Sequence, residues 1–269
     1  MRPSGTCWFA LALGVAVPLA GCGSHSLTND GGNAGTGGGM PPANVEPADL
    51  LSDFDEGRAV ILPLGKPARN GYWYSYNDQS SSCLQSPAHG DIYYGSTSAP
   101  RSPGLSGDRA LHASWNTCSS WGAGIGADFA SPAVADGGMA PVRPRVAYDL
   151  TPYTGIAFWA MAMPGAQTTV RLKMVMHVST EIADGGACDE SIYGADTCGD
   201  EWGLPFTLPS DGTWKAISVR FSDPAFKPEG WGHAFAWNPA DVLGIQFQSV
   251  RGAPAGLYDF WIDDIYLLR

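Results

Sequence analysis

Leu19-Ala20-Gly21-Cys22 is the first place in the chain where side chains and spacing allow a covalent modification. Cleavage before Cys22 frees its thiol for a diacylglycerol and its amine for a third acyl chain. Several chains hold a protein at a membrane, where one gives only marginal binding. The stretch ahead of this box reads as an export signal. Arg2 is its only charged side chain, and residues 8–20 are almost wholly apolar. That run is too short to span a bilayer and ends in small residues.

Two acidic groups could take a metal. Asp53-Phe-Asp55-Glu56-Gly57 lies near the start of the ordered composition, and Asp259 with Asp263-Asp264 lies at the end. If the terminal strands are neighbours, these carboxylates repel unless a cation sits among them. Ca²⁺ takes six to eight oxygens in irregular geometry and suits such a place. Asp53, Asp55 and Asp263 are the expected ligands, with the Ser106-Gly107-Asp108 turn as a further oxygen source.

Aromatic and amide side chains suggest a different chemistry. Nine tryptophans remain once Trp8 leaves with the signal. Trp159, Trp214 and Trp261 sit in apolar runs and should be buried. Tyr72-Trp73-Tyr74-Ser75-Tyr76, Trp121, Trp202 and Trp231 sit instead among Gly, Ser, Asn and Asp. An exposed aromatic plane beside hydrogen-bonding groups suits a sugar ring, whose C–H face packs on the π face. Residues 169–178 alternate, with Val170, Leu172, Met174, Met176 and Val178 on one face and Arg171, Lys173 and His177 on the other. Gln246 and Gln248 project together from another run. If the two runs are neighbours, amides and cations line one sheet face.

Other chemistries lack their residues. There is no zinc-protease helix motif and no phosphate loop. Gly104-Leu-Ser106-Gly107 has the wrong spacing for a nucleophile elbow. Gly122-Ala-Gly-Ile-Gly126 fails as a dinucleotide fingerprint and reads as a strand that a neighbour approaches closely. None of the five histidines stands in a triad context. Asp200 or Glu201 could join another acid in glycosidic cleavage, but any acidic chain offers such pairs.

The elements that must position these residues are short. Runs at 50–54, 71–76, 110–115, 122–129, 155–163, 169–178, 214–221, 242–249 and 258–268 are rich in Val, Ile, Tyr, Phe and Trp. Gly, Pro, Asn and Asp separate them, which is the pattern of strands and turns. One helical turn is expected at Pro239. About nine strands with so little helix imply an all-β chain, a β-sandwich of jelly-roll type. Residues 23–47 are Gly, Asn, Ser and Pro with almost no large apolar side chain. They form a flexible tether with a reach on the order of 25–30 Å.

The net charge of -11 and pI of about 4.7 argue against nucleic acid. Once Cys7 is cleaved away and Cys22 lipidated, Cys83, Cys118, Cys188 and Cys198 remain. An even number in an oxidising compartment suggests two disulfides, with three possible connectivities. Cys188–Cys198 closes a Gly/Asp-rich loop, which leaves Cys83–Cys118. The spacings do not suit zinc.

An ordered set of short motifs carries a family resemblance. It comprises Asp53-Phe-Asp-Glu-Gly57, Gly71-Tyr-Trp-Tyr-Ser-Tyr76, Ser106-Gly-Asp-Arg-Ala-Leu111 and Tyr148-Asp-Leu-Thr-Pro-Tyr153 through Trp159. Gly212-Thr-Trp214 through Phe221, Ile245-Gln-Phe247 and Phe260-Trp-Ile-Asp-Asp-Ile265 follow. Together they resemble the galactose-binding-like jelly rolls, nearest to family 11 carbohydrate-binding modules and complex I intermediate-associated domains. The resemblance covers nearly all of residues 50–269. It implies a sandwich with structural calcium and a concave-face cleft for β-glucan. It places Asp200 as an acidic sugar ligand, Gln246 on the cleft strand, Tyr74 or Tyr76 as the first-strand tyrosine, and Trp231 in a cleft loop. Ser249 stands where those modules carry a Tyr, and the 188–198 loop is an addition.

The expected organisation is a lipoprotein signal at 1–21, a lipidated Cys22 and linker at 22–47, and one sandwich domain at 48–269. The expected protein is exported, anchored to the cell envelope at the outer membrane through lipid alone, and monomeric. It would be non-catalytic and would bind a polysaccharide through Tyr74, Tyr76, Arg171, His177, Asp200, Trp231, Gln246 and Gln248. The alternatives are a protein-interaction or envelope-assembly module, and a glycan hydrolase or lyase.

Overall fold

The alternating apolar runs become strands because period-two side chains bury one face and solvate the other. The computed structural model describes residues 46–55, 57–92, 109–131, 145–252 and 256–269. The lipid box at Cys22, the linker, Glu56 and the turn at 106–108 lie outside them.

Twelve strands form among the described residues. The first six are β1 (Leu50–Ser52), β2 (Trp73–Asn77), β3 (Leu84–Ser86), β4 (Gly90–Ile92), β5 (Leu111–Asn116) and β6 (Ala123–Asp128). The others are β7 (Gly155–Ala162), β8 (Thr169–Met176), β9 (Trp202–Thr207), β10 (Lys215–Arg220), β11 (Val242–Ser249) and β12 (Tyr258–Leu268). One sheet has the order β10-β7-β12-β5-β3, with β1 also paired to β12. The second has the order β4-β2-β6-β11-β8-β9. All pairings between these strands are antiparallel.

The sheets close on one apolar core. Trp73, Ile125, Leu172 and Phe247 enter it from the second sheet, and Phe158, Ile217, Phe260 and Ile262 from the first. Phe158 meets Phe247 edge-on at 5.0 Å between ring centres. The protein is thus the all-β jelly-roll sandwich its sequence implies. Trp159, Trp214 and Trp261 are buried as expected, but in a separate cluster with Ala110 and Met161. That cluster lies on the far side of the first sheet, because Trp159 and Trp261 alternate with the core residues Phe158 and Ile262.

β3, β4 and β9 escape a pattern reading. β3 and β4 are three residues long and mostly polar, and Pro205 interrupts β9. All three are edge strands, where proline and short polar segments are tolerated. The turn at Pro239–Asp241 is a single 3-10 turn, capped by Asn238, whose side chain accepts from Ala240 N. A one-turn α-helix, α1 (Glu190–Tyr193), lies within the 188–198 loop.

Both disulfides pair as expected, Cys83–Cys118 and Cys188–Cys198. The first follows from strand pairing, since Leu84 lies opposite Asn116.

Candidate functional site

Strand register builds two rows across the outer face of the second sheet. Tyr76 of β2 lies opposite Gly124 of β6, which lies opposite Gln248 of β11, then Arg171 of β8 and Pro205 of β9. One step along, Tyr74, Gly126, Gln246, Lys173 and Gly203 make the second row. The core-facing residues alternate with these, so burial of one face presents the other.

The two glycines let the tyrosines lie across the sheet. A Cβ on Gly124 would stand 2.6 Å from Tyr76 Cζ, and one on Gly126 would stand 2.9 Å from Tyr74 Cζ. This is the close approach that the Gly-rich run implies. Gln246 Nε2 donates to Tyr74 Oη at 3.1 Å, and Tyr76 Oη donates to Gln248 Oε1 at 3.2 Å. Lys173 Nζ donates to the same Gln248 Oε1 at 3.0 Å. Burial holds both tyrosine phenols above their ordinary titration range, so they remain neutral hydroxyls. Arg145 closes one end by pairing with Asp128 at 2.7 Å.

Above this floor lies a cleft of about 560 Å³, lined in part by Tyr76, Trp121, Lys173, Trp231, Gln246 and Gln248. Two loops carry its tryptophans, and each is tied by an aspartate. Asp78 accepts from Ser80 N, Ser120 N and Gly122 N, which brackets Trp121. Trp121 then leans on Tyr76, with ring centres 5.8 Å apart. Asp200 accepts from the N–H groups of Glu229, Gly230, Trp231 and Gly232 at 2.7–3.1 Å, which fixes the Trp231 loop.

At the base of the cleft Glu201 is 3% exposed. Its carboxylate accepts from Met176 N and from the Ser179 and Thr180 hydroxyls. Burial pushes its carboxyl upward, and Lys173 opposes that shift. Burial also pulls the Lys173 amine down, against the pull of Glu201 and Glu229. A floor of hydroxyls, amides and a lysine with aromatic walls can exchange hydrogen bonds with hydroxyls and pack against C–H faces.

Comparison with known proteins finds likenesses among solved structures alone. No family model matches the chain, and no curated protein matches it. Among solved structures it is similar to a family 11 carbohydrate-binding module of a cellulosomal cellulase of Clostridium thermocellum. That likeness has a TM-score of 0.45 and 16% identity, over 81% of this chain and 92% of the other. It is similar to a putative sugar binding protein of Bacteroides thetaiotaomicron, with a TM-score of 0.41 and 12% identity, over 82% of this chain and 99% of the other. It also resembles an exo-β-agarase at a TM-score of 0.43 and 9% identity, over 81% of this chain but 25% of that one. What the cleft can bind follows from its own residues.

The expected site residues do not all converge. Tyr76, Gln246, Gln248 and Trp231 line the cleft, and Tyr74 supports it through Gln246. Arg171 is 5% exposed, and its Nη2 donates to Lys227 O at 2.6 Å. Asp200 is already engaged by the main chain. It is 3% exposed, and four main-chain amides fill its oxygens. His177 is displaced. β8 ends at Met176, so alternation stops before His177, which faces Asp241 at 3.8 Å and does not line the cleft. Val175 takes the outward place instead. Trp202 packs on Phe226 and donates to Phe235 O at 2.8 Å, away from any exposed role. Trp121, Glu229 and Arg251 are cleft residues that alternation could not reveal, because they sit on loops.

The terminal acids do meet. β1 pairs with β12, with Ser52 opposite Ile265. An irregularity in β12 leaves two acids, Asp263 and Asp264, between the core residues Ile262 and Ile265. Burial first, then Asp264, Asp55 and Asp53, push the Asp263 carboxyl up to about 9. Among the described residues, the one set of three metal-type side chains with ligand atoms within 4.8 Å of one another is Asp78, Cys83 and Cys118. Its sulfurs form a disulfide, so it offers no thiolate. Asp53, Asp55 and Asp263 approach less tightly than that.

Proposed function

We propose that this protein is a non-catalytic carbohydrate-binding lipoprotein that holds a polysaccharide in the cleft on its second sheet. The carrying observation is the pair of Tyr–Gly–Gln–cation rows beneath Trp121 and Trp231. The glycan's hydroxyls would bond Gln246, Gln248, Lys173 and Tyr76, and a ring face would lie on Trp121. A β-glucan is the first polymer to try. The test is a glycan panel followed by calorimetry on the folded domain. Binding to at least one polysaccharide, weakened about tenfold or more by Trp121→Ala, is expected. A folded protein that binds no polysaccharide sinks the reading.

A protein-docking module calls for an uncharged, apolar surface at this position. Tyr76, Lys173, Glu201 and the two glutamines make it polar. Ile182 and Ile192 are the exposed aliphatic side chains such a role would use. A hydrolase calls for two acids facing each other across the cleft; Asp200 and Glu201 are occupied by hydrogen bonds, and Glu181, Asp184, Asp196 and Glu229 also line it.

Calcium belongs to the same proposal. Asp53, Asp55 and Asp263 would hold it near the paired terminal strands, and hard carboxylate oxygens suit that ion. It would relieve the repulsion that lifts the Asp263 carboxyl. Lipid attachment at Cys22, a place in the cell envelope and a monomeric state complete the proposal. Mass spectrometry of the N-terminal peptide tests the first, with an acylated cysteine expected and an unmodified one contradicting it.

A further inference from the structure

The groove continues past Trp231. A second open depression of about 490 Å³ follows, and Glu229, Trp231 and Arg251 line both. Its charge runs against that of the chain. The sequence carries a formal net charge of -11, yet this depression is lined by Arg171, Lys227 and Arg251 with Glu229 as the one acid.

That acid is already engaged. Glu229 Oε2 accepts from Trp231 Nε1 at 3.3 Å, and its Oε1 lies 3.9 Å from Arg171 Nε. Arg171 is 5% exposed, and its Nε makes no hydrogen bond among the described residues. Taking a guanidinium out of water is costly unless its donors are used. Gly203 accommodates it, since a Cβ there would stand 3.2 Å from Arg171 Nε. Arg251 is exposed and stacked, with its guanidinium carbon 4.5 Å from the centre of the Trp231 ring. The stack covers one face of Trp231 and holds a planar cation where the two depressions join.

We infer that this depression receives an anionic substituent of the glycan, a carboxylate or a sulfate ester, between Arg251 and Lys227. The inference rests on the polysaccharide reading above and names the substrate class. Guanidinium forks match the paired oxygens of such groups. The tyrosine and glutamine groups of the cleft would hold hydroxyls of the same chain, and the cationic depression would select the charged sugar.

Matched polymers test this. A uronic acid polymer is compared with its carboxyl-reduced form, and a sulfated galactan with its desulfated form, by calorimetry at low and at physiological salt. In at least one pair the charged member binds about tenfold more tightly, and the preference shrinks as salt rises. The pair showing the preference identifies the group as carboxylate or sulfate. The double variant Lys227→Gln, Arg251→Gln loses the preference, and melting curves confirm that it folds. Equal binding within both pairs overturns this inference but leaves the polysaccharide reading standing. A preference that survives in the folded double variant also overturns it, because the charge is then read elsewhere. Failure to bind any polymer of either kind, alongside an empty glycan panel, removes the underlying reading itself.

Discussion

Asp200 ties down a loop of the cleft through the main chain. Its two oxygens satisfy four amides of the segment that carries Trp231. Asp200→Ala removes the acceptor of four main-chain amides in a half-exposed loop, which costs about 1–3 kcal/mol. Denaturant unfolding should show that loss together with weakened glycan binding. A residue that only touched sugar would lose binding at unchanged stability. The family resemblance placed Asp200 in the site as an acidic sugar ligand; its amide partners lie about thirty residues onward, and no local pattern links them.

Glu201 supplies a pH prediction at the same scale. Its folded carboxyl titrates above the ordinary range. A raised carboxyl favours folding below its unfolded pKa, and that stability is lost as pH rises through the folded value. The melting temperature should therefore fall over the stretch that begins in the ordinary carboxylate range and runs upward. Glu201→Gln should flatten that fall, and an unchanged profile would contradict the burial of this group. Lys173, with its lowered amine, acts in the opposite sense on the alkaline side.

At the scale of elements, β6 decides whether the floor forms. Gly124→Ala would drive a methyl into the Tyr76 ring and toward Phe247 O, 2.7 Å from the new Cβ. Overpacking of this kind costs about 1–3 kcal/mol. The variant should melt earlier and bind glycan poorly, and wild-type affinity would mean that Tyr76 does not shape the floor. The 188–198 loop forms part of the rim, and Cys198 lines the cleft. Replacing both its cysteines by serine should cost about 2–3 kcal/mol by loop-closure entropy, read from unfolding curves. β8 was legible because its alternation persists over eight residues, and β11 and β12 because they are long runs rich in Val, Ile, Phe, Tyr and Trp. β11 and β12 even keep the expected limits. β3, β4 and β9 were not legible, since edges draw on pairing partners that a local pattern does not show. His177 was misplaced for a related reason. Alternation was carried two residues past Met176, into a turn.

Across the whole molecule, the first and last strands of the sandwich are partners, and their acids meet beside the pairing. If calcium is held there, EDTA should lower the melting temperature by several degrees, and added Ca²⁺ should restore it. An unchanged melting curve would remove the metal from the account. Charge is divided differently at the cleft, where Glu181, Asp184, Asp196 and Glu201 line the main groove and Arg171, Lys227 and Arg251 line the depression beside it. In the proposed function the working surface is the two-row floor. Mapping a bound oligosaccharide by amide and side-chain chemical-shift changes tests that most directly. The account predicts changes centred on Tyr76, Trp121, Lys173, Gln246 and Gln248. Changes centred on the tryptophan cluster of the other sheet, or no change with any glycan, would contradict it.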